Sequence, residues 1–245
     1  MAFEARFAVT LPVGACAGVA LPATAPPEAE WPAALHPNER ELACGLSEAR
    51  CASWIGGRLA LRAALDAAGL AMNQPILATA RGAPRLPPDW TASISHKADL
   101  AVAIAAPAGT PRVTLGIDLE QLRPLRADIS ARVLTDAERA ALPPAGPARD
   151  ALVLRLFSAK EAIYKALDPW VQRYVGFHEA ELTLGPAGEM TARLALAGGE
   201  GPFAIELHDL GDLAGPGFLL TAATARRGSP IEREGQPPGP LAHPR

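Results

Sequence analysis

Between Val113 and Glu120, apolar residues alternate with polar or small ones without a break. Val113, Leu115, Ile117 and Leu119 define one face; Thr114, Gly116, Asp118 and Glu120 define the other. A period of two predicts a strand, and this is the clearest one in the chain. RFAVTLPVG predicts a strand near the start, and TASISHKADLAVAIAA predicts two strands around a short turn. FHEAELTL, MTARLALA, PFAIELHDL and GFLLTAATA predict four more. Helical spacing covers about 38–68, with Gly69 as a stop and Gly56-Gly57 marking a bend or a tight contact. DISARVLTDAERAAL predicts one or two short helices, and LRLFSAKEAIYKAL a further helix. In that last stretch Ser158 and Glu161 have the spacing of a capping box. If the helix instead begins near Pro147, the polar cluster needs another explanation. Glu161 and Lys165 also fit an ordinary i,i+4 pair.

The segments between these elements carry the prolines. Residues 22–37 predict a connector that Trp31 staples to the body, and ILATARGAPRLPPDW predicts an edge or loop. The proline- and glycine-rich stretch 228–245 is expected to be a disordered tail. Strands and helices thus mix without a repeated unit, which predicts an α/β (α+β) fold. Two similar halves are expected to meet near 108–112, as subdomains 1–111 and 112–227.

Composition narrows the classes. The chain has 245 residues, 49% apolar and 20% charged, with a net charge of −3. Nothing there favours nucleic acid, and the 5% of aromatic residues do not interleave with basic ones. Three cysteines without a CxxC pair argue against a disulfide scaffold or a structural zinc site. Cys44 and Cys51 read as small core residues. No apolar run is long enough to span a membrane. The opening MAFEARFAVT lacks a secretory pattern, so a cytoplasmic protein is expected.

The candidate chemistry is anionic on one side and cationic on the other. Asp118 and Glu120 emerge on one strand face about 7 Å apart. Such carboxylates repel unless a cation lies between them; the bland alternative is a solvated strand end. Magnesium, which favours one or two carboxylates and substrate phosphates, fits that demand, and Glu161 supplies a third acid. Arg50, Arg58, Arg81, Arg85, His96, Lys160 and Lys165 each pass as surface or structural residues. Together they would surround a small, highly anionic molecule. Three classes fit: a magnesium-dependent phosphoryl-group enzyme, a metal-dependent phosphate hydrolase or nuclease, and a noncatalytic carrier-binding module.

The motifs add a resemblance. GIDLE at 116–120, FSAKEAIYKA at 157–166, SISH at 93–96, GGRLALRAAL at 56–65 and VGFHEAELTL at 175–184 stand in the order found in phosphopantetheinyl transferases. The sequence resembles the large, monomeric surfactin-synthetase-activating type, and within it the enterobactin-associated branch. That resemblance implies a pseudo-dimer of two α/β halves with coenzyme A at their junction, serving apo acyl, peptidyl or aryl carrier proteins. It implies magnesium at Asp118, Glu120 and Glu161, and phosphate-facing roles for Lys160 and Lys165. Ser95 and His96 match positions that contact a coenzyme A phosphate; Arg58, and with it Arg50, match basic positions near the nucleotide. Where the family often has G-K-P or G-x-P, Gly82-Ala83-Pro84 in RGAPR fits only the looser form, which leaves Arg81 and Arg85 competing for one basic role. Lys97 stands where this branch commonly has cysteine or serine. Glu161 is the first choice for general base and Glu120 the second, with Lys160 offsetting charge during transfer.

Overall fold

Small residues decide how the N-terminal half is built. β1 (Glu4–Leu11) turns at Pro12-Val13 into β2 (Gly14–Ala20), whose sequence GACAGVA is buried along most of its length. β3 (Trp90–Lys97) and β4 (Leu100–Pro107) complete an antiparallel sheet in the order β1-β2-β4-β3, with Cys16 opposite Ile104. The structure, a computed structural model, describes residues 2–228.

The predicted helical block divides at Gly45–Ser47 into α1 (Pro37–Cys44) and α2 (Glu48–Ala67). α2 lays Ala60, Leu61, Ala64 and Leu65 on Ala17, Val19, Ala103 and Ala105 of the sheet. α2 runs through Gly56 and Gly57 without a break. They are tight contacts: a Cβ on Gly56 would meet the Leu21 side chain, and one on Gly57 would come within 3.0 Å of Ile94. Cys51 is buried as expected, whereas Cys44, at the last turn of α1, is exposed. Trp31 does staple the connector: it is buried among Leu35, Ala43 and Ile55, and its indole donates to the Pro26 carbonyl at 2.7 Å.

The second half repeats the plan of a sheet backed by one long helix. β5 (Val113–Gln121) is followed by α3 (Ser130–Val133), α4 (Asp136–Ala140) and α5 (Pro147–Val171). β6 (Ala180–Leu184) and β7 (Met190–Leu194) form a hairpin. β8 (Phe203–Asp209), α6 (Gly211–Ala214) and β9 (Phe218–Arg227) close the chain, and the sheet runs β5-β9-β8. Leu115, Ile117 and Leu119 of β5, with Leu220 and Ala222 of β9, face Cys16, Val102 and Ile104 of the first sheet. The opposite faces carry α2 and α5. The predicted tail from 228 lies, apart from Gly228, outside the described residues.

Among the described residues the free edge of β5 meets a face of β3 without a backbone ladder. Thr91, Ser93 and Ser95 share one face of β3, and their hydroxyls accept the N–H groups of Leu115, Ile117 and Leu119 at 3.1, 3.1 and 3.2 Å. The constant offset makes β3 and β5 parallel neighbours stitched through side chains. Ser95 is therefore first of all a joint between the halves.

α5 begins at Pro147, so Ser158 is no cap. Its hydroxyl instead reaches the Asp118 carbonyl and the Thr221 hydroxyl, both at 3.4 Å. Helix and strand approach closely at Gly116, where a Cβ would collide with the Ala162 carbonyl and come within 2.7 Å of the Ala166 nitrogen. Both obstacles are backbone and cannot rotate away. Gly116→Ala is expected to cost about 2–3 kcal/mol by overpacking, read as a lowered urea midpoint with unchanged slope.

Past α5, Arg173 holds two acids. It donates to Glu179 at 2.7 and 3.0 Å and to Glu200 at 2.7 and 2.9 Å. Glu179 also accepts the N–H groups of Gly176 and Ala197. The Arg173 hydrogen bonds, with help from those backbone donors, pull the Glu179 pKa down to about 2. A depressed carboxylate stabilises the fold above its unfolded pKa of about 4.3 and loses that contribution as pH falls through about 2. Glu179→Gln should thus lower stability by about 1–2 kcal/mol at pH 7, after allowing for solvent screening. The difference from wild type should shrink steadily between pH 4 and pH 2 in urea titrations.

Candidate active site at the junction of the halves

α2, the 78–84 loop, β3 and α5 enclose a cleft of about 450 Å³ between the halves. Arg50, Arg58, Arg81, His96 and Lys165 line it; among the described residues Asp168 is its one carboxylate. Arg58 is only 6% exposed, and among the described residues its Nε has no hydrogen-bond partner. Its guanidinium lies 4.7 Å from the centre of the Trp54 ring, one helical turn back on α2. Burial pulls the Arg58 pKa down; Arg62 adds to this and Glu39 opposes it. A buried cation without an ion-pair partner is costly unless an anion arrives, so this cleft is built for one.

Arg81 and Arg85 part company. The 78–84 loop doubles back through an Ala78–Pro84 bridge and carries Arg81 across the cleft to α5. There it donates to Asp168 at 2.7 Å and to the Tyr164 hydroxyl at 3.3 Å. Arg85 is exposed and does not line the cleft. His96 stands at the rim; desolvation lowers its pKa, and the charges of Lys165, Arg50 and Lys97 lower it further.

Lys165 joins the cationic cleft to the acids. Its Nζ donates to Asp118 Oδ1 at 2.7 Å, to the Ile117 carbonyl at 2.9 Å and to Ser95 Oγ at 3.3 Å. Ser95 Oγ also donates to Asp118 Oδ1 at 3.1 Å. Asp118 is 5% exposed, and its Oδ2 is buried without a partner among the described residues. Glu120, 8% exposed, pairs with Lys97 at 2.6 Å. Desolvation raises the Glu120 pKa, as does Asp118, against the opposing effect of Lys97. Burial likewise raises that of Glu161; Asp118 and Glu120 add to this while Lys165 and Arg132 oppose it.

The three expected metal acids share a neighbourhood but not a cage. Among the described residues no three acidic, histidine or cysteine side chains converge closely enough to hold one ion. Lysines occupy the cation's electrostatic role on two of them, Lys165 at Asp118 and Lys97 at Glu120. The donor set nevertheless suits a hard divalent cation: it is all oxygen, negatively charged, and includes the orphaned Asp118 Oδ2.

The Lys160 expectation needs correction. Its side chain does not face the cleft. It is 2% exposed, and its ammonium donates to Glu138 at 2.7 Å and to the Val133 and Phe177 carbonyls at 3.0 Å each. Glu138 is completed by the N–H groups of Thr135 and Leu182, both at 2.7 Å. Five residues separate Lys160 from Lys165, a turn of about 140° around a helix, so the two cannot share a face. Tyr164 and Asp168, which also line the cleft, were not anticipated there; their i,i+4 spacing was the signal available.

The family model described as the 4'-phosphopantetheinyl transferase N-terminal domain matches residues 38–106, and that of the 4'-phosphopantetheinyl transferase superfamily matches 114–223. The chain is 39% identical over 150 residues to the 4'-phosphopantetheinyl transferase Svp of Streptomyces mobaraensis, covering 58% of each chain. It is 32% identical over 167 residues to the 4'-phosphopantetheinyl transferase PptT of Mycobacterium tuberculosis, covering 66% of this chain and 73% of that one. Similarity to the 4'-phosphopantetheinyl transferase Npt of Nocardia iowensis is 34% over 151 residues, 60% of this chain and 65% of that one. The chain belongs to the 4'-phosphopantetheinyl transferase superfamily. Among the described residues no helix is long and apolar enough to cross a membrane.

Proposed function

We propose that the protein transfers 4'-phosphopantetheine from coenzyme A to a serine of an apo carrier protein and releases 3',5'-adenosine bisphosphate. The observation that carries this is the cleft with its buried, anion-seeking Arg58, joined through Lys165 to the acids of β5. Arg58, Arg50, Arg81 and His96 would bind the nucleotide phosphates. Magnesium would be held by Asp118 and Glu120, with Glu161 adjoining; when bound it neutralises pyrophosphate charge and stabilises the leaving oxygen. Glu161 accepts the serine proton; the burial that raises its pKa makes its carboxylate a stronger base. The serine oxygen then bonds to the β-phosphorus as the bond from that phosphorus to the bridging oxygen breaks. Lys165, on the Asp118 carboxylate and at the cleft wall, holds positive charge between the metal acids and the phosphates.

Partner choice is read from surface chemistry. Beyond β5, Leu125 and Ile129 turn into the core, while Arg123, Arg126 and Arg132 stay exposed beside Leu122. That mixed basic and apolar rim suits an acidic carrier helix. Among large transferases the motifs favour the enterobactin-associated branch, and with it a secondary-metabolite carrier.

Intact-protein mass spectrometry of an apo carrier mixed with enzyme, coenzyme A and magnesium tests the reading. One phosphopantetheine mass should be added. Carrier-independent release of phosphate products with no adduct would establish a hydrolase instead; complex formation without products would establish a binding module. Arg58→Ala should weaken coenzyme A binding by about tenfold or more, the loss of a charged contact, with a smaller effect on the rate at saturation. Calorimetry with coenzyme A reads that difference.

A further inference from the structure

A second cavity lies between the two sheets, at the end of β5 away from the acids. Its volume, about 560 Å³, exceeds that of the cationic cleft. The β1–β2 turn and the start of β5 supply apolar walls through Leu11, Val13, Val113 and Leu115. The β8–β9 face supplies the polar groups. Thr224 is 6% exposed, and among the described residues its hydroxyl has no hydrogen-bond partner; the Nε2 of His208, also buried, has none among them either. Thr224 pairs across the sheet with Glu206, two residues before His208. Thr224 and His208 are therefore diagonal neighbours on one face, and both line the cavity. Buried polar groups without partners are expensive. Two of them facing one largely apolar space mark a place where a molecule completes the hydrogen bonding.

The charges say which kind of molecule. The charged carboxylate and guanidinium in the lining, Glu206 and Arg226, are paired with each other. Among the described residues no lysine and no arginine other than the paired Arg226 lines this space, in contrast to the cationic cleft with Arg50, Arg58 and Lys165. Phosphates and carboxylates have nothing to pay for their desolvation here. We infer that this cavity is a second binding site, for a small uncharged amphiphile whose apolar body fills the space between the sheets and whose hydroxyl or carbonyl meets Thr224 and His208. Its dimensions fall within the range of ordinary small-molecule sites. Because it opens at the other end of β5, occupancy should be compatible with a filled coenzyme cleft.

p-Cresol is a suitable probe, and p-toluate its charged counterpart. Both are titrated by ligand-observed NMR against the full chain with coenzyme A present in excess. p-Cresol should bind and p-toluate should bind at least tenfold more weakly. Thr224→Val keeps the side-chain volume and removes the hydroxyl, and should weaken p-cresol about tenfold. Val13→Trp fills the space from the turn and should abolish binding, whether or not Thr224→Val folds. Coenzyme A affinity should stay unchanged in each folded variant. Absence of p-cresol binding, which would mean a cavity filled by water only, overturns the proposal. So does displacement of p-cresol by coenzyme A, or an affinity unaffected by Val13→Trp. Equal binding of p-toluate overturns the assignment of an uncharged ligand.

Discussion

Asp118→Asn should lower carrier modification by about 10²–10³-fold, the scale of losing one well-placed electrostatic group, while the protein stays folded. The amide keeps an oxygen where Lys165 and Ser95 donate, so the joint between β3 and β5 loses no acceptor. What changes is the other atom. The orphaned Oδ2, buried and negatively charged, becomes an NH₂ donor and repels a cation. Calorimetry with magnesium in the presence of coenzyme A should show weakened metal binding, and the thermal midpoint should move little. Wild-type metal affinity together with wild-type turnover would remove Asp118 from the metal set. A collapse of stability would show that its pairing with Lys165 matters more to the fold than to chemistry.

Lys160→Met should destabilise the protein by about 3–5 kcal/mol, because it strands the Glu138 carboxylate in the interior without its counter-ion. The measurement is the urea midpoint of the variant. Adding Glu138→Gln removes the stranded charge and should recover part of the loss. Such non-additivity is the signature of a coupled pair. Coenzyme A affinity in folded Lys160→Met should match wild type, since the ammonium faces α3 and the Phe177 turn. A variant of full stability with a large loss in transfer rate would return Lys160 to the catalytic machinery.

Lys160 also shows what the chain of letters does and does not disclose. Lys160, Glu161 and Lys165 read as one charged cluster, and helical geometry already separates the two lysines; what Lys160 meets depends on Glu138, 22 residues earlier, which no local pattern announces. β5 was plain because one of its faces meets the core and the other carries the acids. β2 was missed for the opposite reason. GACAGVA is covered on both sides by α2 and by the second sheet, so it has no polar face and no alternation to detect. The strand that holds Ser93 and Ser95 was read correctly, but the service of their hydroxyls to the β5 backbone needs the meeting of two sheets to be seen. Arg81 and Arg85 were indistinguishable until the loop bridge turned one inward. The position of Glu161 near the two strand acids was anticipated through the resemblance, whereas the lysines that sit on Asp118 and Glu120 were not. They are long, flexible side chains whose partners are chosen only in the folded state.

The seam between β3 and β5 has a genetic consequence. An ordinary strand pairing is written in the peptide backbone and survives nearly any replacement except proline. Here the partners of Leu115, Ile117 and Leu119 are three side-chain oxygens, so the bond between the halves is spelled in codons. Changing Thr91, Ser93 and Ser95 to alanine would delete that bond while leaving every main-chain atom in place, exposing three interior N–H groups at about 1–3 kcal/mol each. The union of the two halves is thus heritable information in the strict sense, open to drift and to selection one hydroxyl at a time.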